Sequence, residues 1–162
     1  MIEIFDNYFN IEDIKKYYSY YIEKDFYYGE YDEDPKLLTG LIHNIKDDEY
    51  FNSIHETIQK KILSSLKIDK KIVLYRSYLN LFLPNEKPYY HVDDEKECLS
   101  IIMYLTEGDD GETLFKKNNN TLHGVLPILG RVVGFDGRIR HKATTHRDKA
   151  RLNLVLKYDY IS

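Results

Sequence analysis

The apolar residues of this chain change their spacing once, near Lys71, and that change limits the fold more than any other feature. Upstream, two stretches repeat at helical spacing. Phe9-Asn10-Ile11 opens the first, with Asn10 as cap, Asp13 near the positive end of the helix dipole, and Ile11, Ile14, Tyr18 and Ile22 on one face. The second spans 47–66, capped by Asp47 or Asp48, with Phe51, Ile54, Ile58, Ile62 and Leu66 as its buried stripe. Between them, 25–40 is rich in Tyr, Asp and Glu, ends in Pro35 and Gly40, and reads as an extended arm or loop. His43 and His55 flank this region and read as surface histidines.

From Lys71 onward the spacing is two. Ile72 to Leu83 alternates over one long strand, with Arg76, Tyr78, Asn80 and Phe82 on one face and Ser77, Leu79, Leu81 and Leu83 on the other. Pro84 to Pro88 is a turn, and the His91 segment follows. Leu99 to Leu105 sets Ser100, Ile102 and Tyr104 opposite four aliphatic side chains. Shorter strands are expected at 113–115, 121–126 and 131–135, with a polar loop over Lys116 to Asn120. Arg151 to Tyr158 closes the series, with Leu152, Leu154 and Leu156 on one face. No helical stretch separates these seven or eight strands, which argues against βαβ units and for a mainly β (α+β) fold. The mixed faces either line the interior of a barrel-like jelly roll or meet water.

The length of 162 residues suits one domain over 1–162, with helical support over about 1–66 and a β core over about 71–158. A net charge of −4 gives no reason to expect nucleic acid. The single cysteine, Cys98, excludes an internal disulfide framework. No apolar run reaches transmembrane length and no secretory leader is visible, so a cytoplasmic protein is expected, without a membrane partner.

The chemistry concentrates at Tyr89-Tyr90-His91-Val92-Asp93. In extended backbone, positions i and i+2 share a face, so His91 and Asp93 can converge. His141 lies fifty positions later. Two histidines and one carboxylate make the facial triad that holds non-haem Fe(II) and leaves coordination positions open. Alone, a His-x-Asp pair occurs by chance; here it has ordered company. The Leu99–Leu105 strand follows, then Gly111-Glu112-Thr113-Leu114-Phe115, Pro127-Ile128-Leu129-Gly130-Arg131 leading to Phe135, His141 and finally Arg151.

This order resembles the Fe(II)- and 2-oxoglutarate-dependent dioxygenases, in their prolyl 4-hydroxylase-like branch, from about residue 75 to residue 158. The resemblance implies a double-stranded β-helix, a jelly roll, with supporting N-terminal helices. It implies His91, Asp93 and His141 as iron ligands and Arg151 as the grip on the distal carboxylate of 2-oxoglutarate. A guanidinium suits that task because it offers two parallel donors. Arg147 competes for the role but sits in a polar loop. Tyr104 matches a tyrosine that hydrogen-bonds the same carboxylate. Tyr78 and Asn80, facing one way on the preceding strand, are candidate pocket residues. The family often has two glycines before its Thr-x-Phe segment; here the first is Asp110. His123 lies outside the motif order, His146 reads as a rim residue, and Arg138 and Arg140 either meet an acidic substrate or are solvated.

The implied reaction uses Fe(II), O₂ and 2-oxoglutarate, with ascorbate as a candidate reductant, and hydroxylates an unactivated C–H bond while releasing succinate and CO₂. The branch points to a prolyl or other peptide or protein side chain, with small-molecule substrates open. Two rival readings remain: a metal-keeping jelly-roll binding or sensing module, and a cupin-type metalloenzyme that does not use 2-oxoglutarate. Arg151 separates them, because neither rival needs a buried carboxylate clamp.

Overall fold

In a computed structural model describing residues 1–29, 39–45, 48–66, 68–118 and 121–161, the elements run in this order. They are β1 (Ile2–Phe5), α1 (Ile11–Tyr21), β2 (Leu41–Asn44), α2 (Glu49–Thr57), β3 (Lys71–Phe82), β4 (Cys98–Tyr104), β5 (Thr113–Lys116), β6 (Leu122–Val125), β7 (Val132–Asp136), β8 (His141–Ala143) and β9 (Arg151–Ile161). The large sheet has the order β1-β7-β4-β9-β3-β2 and the small one β6-β5-β8. Every pairing among these strands is antiparallel. This is the jelly-roll arrangement expected from strands joined by turns.

The large sheet has two different faces, and each buries a core. On one, Leu79, Leu99, Ile101, Met103, Leu152, Leu154 and Leu156 pack against Ile14, Phe51, Ile54, Ile58 and Ile62 of the helical segment. On the other, Tyr78, Ile102, Tyr104, Val133, Phe135 and Val155 pack against Phe115 and Val125 of the small sheet. The aliphatic faces therefore lie under the helices and the mixed faces look into the space between the sheets.

The N-terminal region does more than support. β1 pairs with β7 at one edge of the large sheet, and β2 pairs with β3 at the other. Both strands escaped sequence reading because they are only four residues long and carry no sustained alternation. Asn10 caps α1 through a bond from the Glu12 amide. The buried face of α1 is Ile14, Tyr17 and Tyr21, whereas Ile11 is exposed, so the face is turned from the one read off the aliphatic residues. A tyrosine ring buries as a hydrophobe when its hydroxyl finds a partner; that of Tyr21 reaches Asp48 at 3.3 Å. Asp48 caps α2 by accepting from the Phe51 amide. The alternative cap, Asp47, lies outside the described residues, as do Pro35 and most of the 25–40 arm. After Thr57 the helix widens into a π-helical stretch, Ile58–Leu63, and its predicted apolar stripe is buried throughout.

The long strand is not uniform. Its register against β9 shifts between Leu74 and Arg76, a β-bulge that reverses the parity of the faces. Ile72 and Leu74 pack toward the helices before it, Leu79 and Leu81 after it. The alternation expected over 72–83 is therefore broken once, at this bulge. Among the described residues no helix is long and apolar enough to cross a membrane.

Candidate metal centre

His91 does not belong to a regular strand. It forms an isolated bridge with His141, each amide donating to the other's carbonyl at 2.9 Å. Two residues on, the Asp93 amide donates to the Gly137 carbonyl at 2.8 Å. The segment is thus held extended at both ends, and this pinning gives the shared face that the spacing of the pair required. Gly137 is needed for the approach: a Cβ there would collide with Cys98 Sγ and come within 3.2 Å of Asp93 Cβ.

One ligand atom each from His91, Asp93 and His141 lies within 4.8 Å of the others. His91 Nε2 is 3.8 Å from Asp93 Oδ1, and His141 Nε2 is 3.8 Å from Asp93 Oδ2. The other ring nitrogens are engaged by backbone: His141 Nδ1 lies 2.8 Å from the Ile139 carbonyl and His91 Nδ1 3.3 Å from the Tyr89 carbonyl. A carbonyl only accepts, so both imidazoles carry a proton on Nδ1, which leaves Nε2 as the nitrogen that can coordinate. Phe135 and Phe115 pack on the His141 ring, with centroids 4.6 and 5.8 Å away, and fix its plane.

The protonation states agree with metal binding. Burial pushes the Asp93 carboxyl up, but the Lys157 ammonium, His141 and hydrogen bonds from Lys157 and Ser100 outweigh it and hold the pKa at about 2. Burial pushes His141 down to about 4, against the opposing pull of Asp93. Near neutral pH the site holds an ionised carboxylate beside a neutral imidazole, the forms that coordinate a divalent ion. The donor set and its fixed tautomers fit such an ion.

At the far end of the same cavity, about 300 Å³ in volume, lies Arg151. It is 1% exposed. Its Nη2 donates to Thr113 Oγ1 at 2.7 Å, and with the Asn153 amide oriented to satisfy both groups its Nη1 donates to Asn153 at 3.0 Å. Its Nε has no hydrogen-bond partner among the described residues. Burial pulls the guanidinium's pKa down. The guanidinium also lies over the Phe82 and Tyr104 rings, and Glu112 acts on it through space.

The sheet register explains how these groups come together. Arg76, Lys157 and Ser100 form one row across β3, β9 and β4; Tyr78, Val155 and Ile102 form the next; Asn80, Asn153 and Tyr104 the third. Phe82 and Arg151 pair beyond them. Tyr78 and Asn80 line the cavity. Tyr104 stands behind its wall, its hydroxyl 2.6 Å from Thr113 Oγ1, and so reaches Arg151 through that threonine.

The other singled-out residues are elsewhere. His43 Nδ1 meets the Asp25 carbonyl, His55 stacks between Phe51 and Tyr158, and His123 packs against Phe115. Arg147 is 92% exposed and pairs with Asp110, so it is no rival to Arg151 for a buried clamp. Arg138 pairs with Asp136. His146 is not a rim residue: it is fully buried, with Nδ1 2.7 Å from Asp110. Gly108 and Gly111 leave it room, since a Cβ on either would touch its ring. Ser100, Thr113, Asn153 and Lys157 went unassigned in the sequence. Strand parity was the available signal, since Asn153 and Lys157 share the Arg151 face and Ser100 the Tyr104 face.

No protein-family model and no curated protein matches the chain. Solved structures do. A prolyl-4-hydroxylase from Pseudomonas putida superposes with a TM-score of 0.74 at 16% identity, over 99% of this chain and 92% of that one. HygX from Streptomyces hygroscopicus, solved with nickel and 2-oxoglutarate bound, gives 0.77 at 11% identity, over 97% of this chain and 82% of that one. A viral collagen prolyl hydroxylase from Paramecium Bursaria Chlorella virus-1, in a 2-oxoglutarate complex, gives 0.75 at 13% identity, over 99% and 96%. The fold is therefore the jelly roll of the 2-oxoglutarate- and Fe(II)-dependent oxygenases.

Proposed function

We propose that this chain is an Fe(II)- and 2-oxoglutarate-dependent dioxygenase that hydroxylates an unactivated C–H bond of a prolyl or other peptide side chain. One observation carries the reading. A single cavity contains both a two-histidine, one-carboxylate cluster and a buried arginine whose Nε has no hydrogen-bond partner among the described residues. A metal-binding module or cupin-type enzyme has a use for the first and none for the second.

In this reading His91, Asp93 and His141 hold iron, and Arg151 receives the distal carboxylate of 2-oxoglutarate. With both bound, O₂ is split between the co-substrate, which leaves as succinate and CO₂, and the target C–H bond, which becomes C–OH. The protein's own work is to bind and to orient. The backbone carbonyls of Ile139 and Tyr89 keep the Nδ1 protons in place, so the Nε2 lone pairs need no rearrangement. Thr113 and Asn153 keep the guanidinium fork aimed, and Tyr104 holds Thr113. Tyr78 and Asn80 flank the path between the two ends.

The peptide assignment draws on the prolyl hydroxylases among the similar folds; HygX, solved also with hygromycin B, keeps small molecules in the test. The experiment is succinate release with Fe(II), ascorbate and 2-oxoglutarate against a panel of proline-containing peptides and small metabolites. The expected result is Fe(II)-dependent succinate, with one oxygen atom added to an accepted substrate. If the Mn(II)-loaded protein fails to bind 2-oxoglutarate, the reading gives way to a binding or sensing module.

A further inference from the structure

Lys157 and Arg76 are charged, line the cavity and have no role in this function; Lys157 is the one in contact with a proposed ligand. Lys157 lies on β9, six residues beyond Arg151 and on the same face, between Arg76 and Ser100 in the register of the large sheet. Its side chain is 8% exposed and its Nζ lies 2.8 Å from Asp93 Oδ1. The other carboxylate oxygen accepts from Ser100 Oγ at 2.5 Å. The two donors divide the carboxylate, one oxygen each, and set its plane. The bond to Ser100 is neutral; the bond to Lys157 carries a full charge.

That charge has a cost and a use. A buried carboxylate without a counter-charge is expensive, and the Lys157 ammonium supplies one at 2.8 Å. In protein carrying no metal, Lys157 puts a cation in contact with Asp93. In protein carrying metal, the ion itself brings positive charge to Asp93, and the Lys157 ammonium opposes a divalent ion that shares the same carboxylate. The ammonium thus favours the metal-free form over the loaded one.

We propose that Lys157 is a positioning residue that acts as the resident counter-cation of the metal centre: it holds Asp93 oriented before metal arrives and competes with the arriving ion for the carboxylate's charge. The inference rests on the metal-site reading above. Its consequence is a preorganised but readily exchanged site, with metal affinity set below what the three ligands alone would give.

The test compares wild type with Lys157→Met, Lys157→Gln and Lys157→Arg by Mn(II) titration calorimetry and by thermal melting with EDTA or saturating Mn(II). Lys157→Met should melt lower than wild type in EDTA yet bind Mn(II) more tightly, by about tenfold or more. Its gain in Tm on adding Mn(II) should therefore exceed that of wild type. Lys157→Gln keeps a donor and drops the charge; it should also bind Mn(II) more tightly, and it decides the matter if Lys157→Met does not fold. Lys157→Arg should return the affinity toward wild type. A lysine that merely fills space would lower Tm equally with and without Mn(II). That result, or Mn(II) affinity in the neutral variants no tighter than wild type, overturns the proposal. Wild type that fails to bind Mn(II) overturns the metal-centre reading itself, which keeps the two failures distinct.

Discussion

Replacing Arg151 with methionine should do two opposite things, and their combination is diagnostic. Arg151 is 1% exposed, and its donors meet neutral oxygens or, at Nε, no partner among the described residues. Burying a guanidinium without a counter-charge costs several kcal/mol. The bonds to Thr113 and Asn153 and the contacts with the Phe82 and Tyr104 rings return part of that cost, and the threonine keeps its Tyr104 partner when the arginine is gone. Methionine fills much of the same volume without charge. Arg151→Met should therefore stabilise the protein in the absence of 2-oxoglutarate by about 1–3 kcal/mol, a Tm rise of a few degrees. The same substitution should weaken 2-oxoglutarate binding by about 2–5 kcal/mol, roughly thirtyfold to several thousandfold, and leave Mn(II) affinity nearly intact. Arg151→Lys should recover only part of the loss, because an ammonium cannot reproduce the two-bond fork. Chemical denaturation and calorimetry on the Mn(II)-loaded protein measure both effects. A less stable Arg151→Met would mean that the guanidinium is structural, and unchanged 2-oxoglutarate affinity would remove it from the co-substrate site.

The metal ligands should fail singly: His141→Ala should lose most Mn(II) affinity, and calorimetry showing wild-type binding would sink the assignment. Acid should destabilise the chelator-treated protein through His141. Its folded pKa of about 4 lies below the ordinary 6.5, so the folded state resists protonation. The stability from this group is complete above pH 6.5 and is lost as pH falls toward 4, a change of about 3 kcal/mol. Denaturant midpoints across that range should flatten in His141→Gln, and an unaltered acid limb would exclude this residue as the source. Deleting residues 1–66 removes β1, β2 and both helices and uncovers Leu79, Leu99, Ile101, Leu154 and Leu156, each now fully buried and worth roughly 1.5–3 kcal/mol. The fragment should be insoluble or molten, and a soluble product with a cooperative melt would contradict the packing argument.

Local chemistry was legible in the sequence wherever one segment carried it. Period alone separated the helical segment from the strands, and parity alone set Arg76, Tyr78 and Asn80 on one face and the leucines of the last strand on the other. What required the partner strand was not legible. The bulge at Leu74/Arg76 exists only as a mismatch with β9. β1 gains its meaning from β7, where Ile2 faces Phe135 across most of the chain. His91 and Asp93 were placed together for a sound geometric reason, yet the bonds that hold them extended come from His141 and Gly137.

The same limit applies to charges, and here it has a pattern. A lone lysine near the end of a terminal strand reads as solvated, and a lone histidine in a polar loop reads as rim. Lys157 is instead drawn in by Asp93, and His146 by Asp110. Asp110 stands where the resembled family often has glycine, and taken alone it looks like a loss of loop freedom. Beside His146 it is half of a pair that ties the loop before Thr113 to the loop before Arg151. Those are the two residues that join across the far end of the cavity. A departure from a family pattern is therefore best read together with the buried group that answers it: Asp110, about a third exposed, supplies the partner that the fully buried His146 needs.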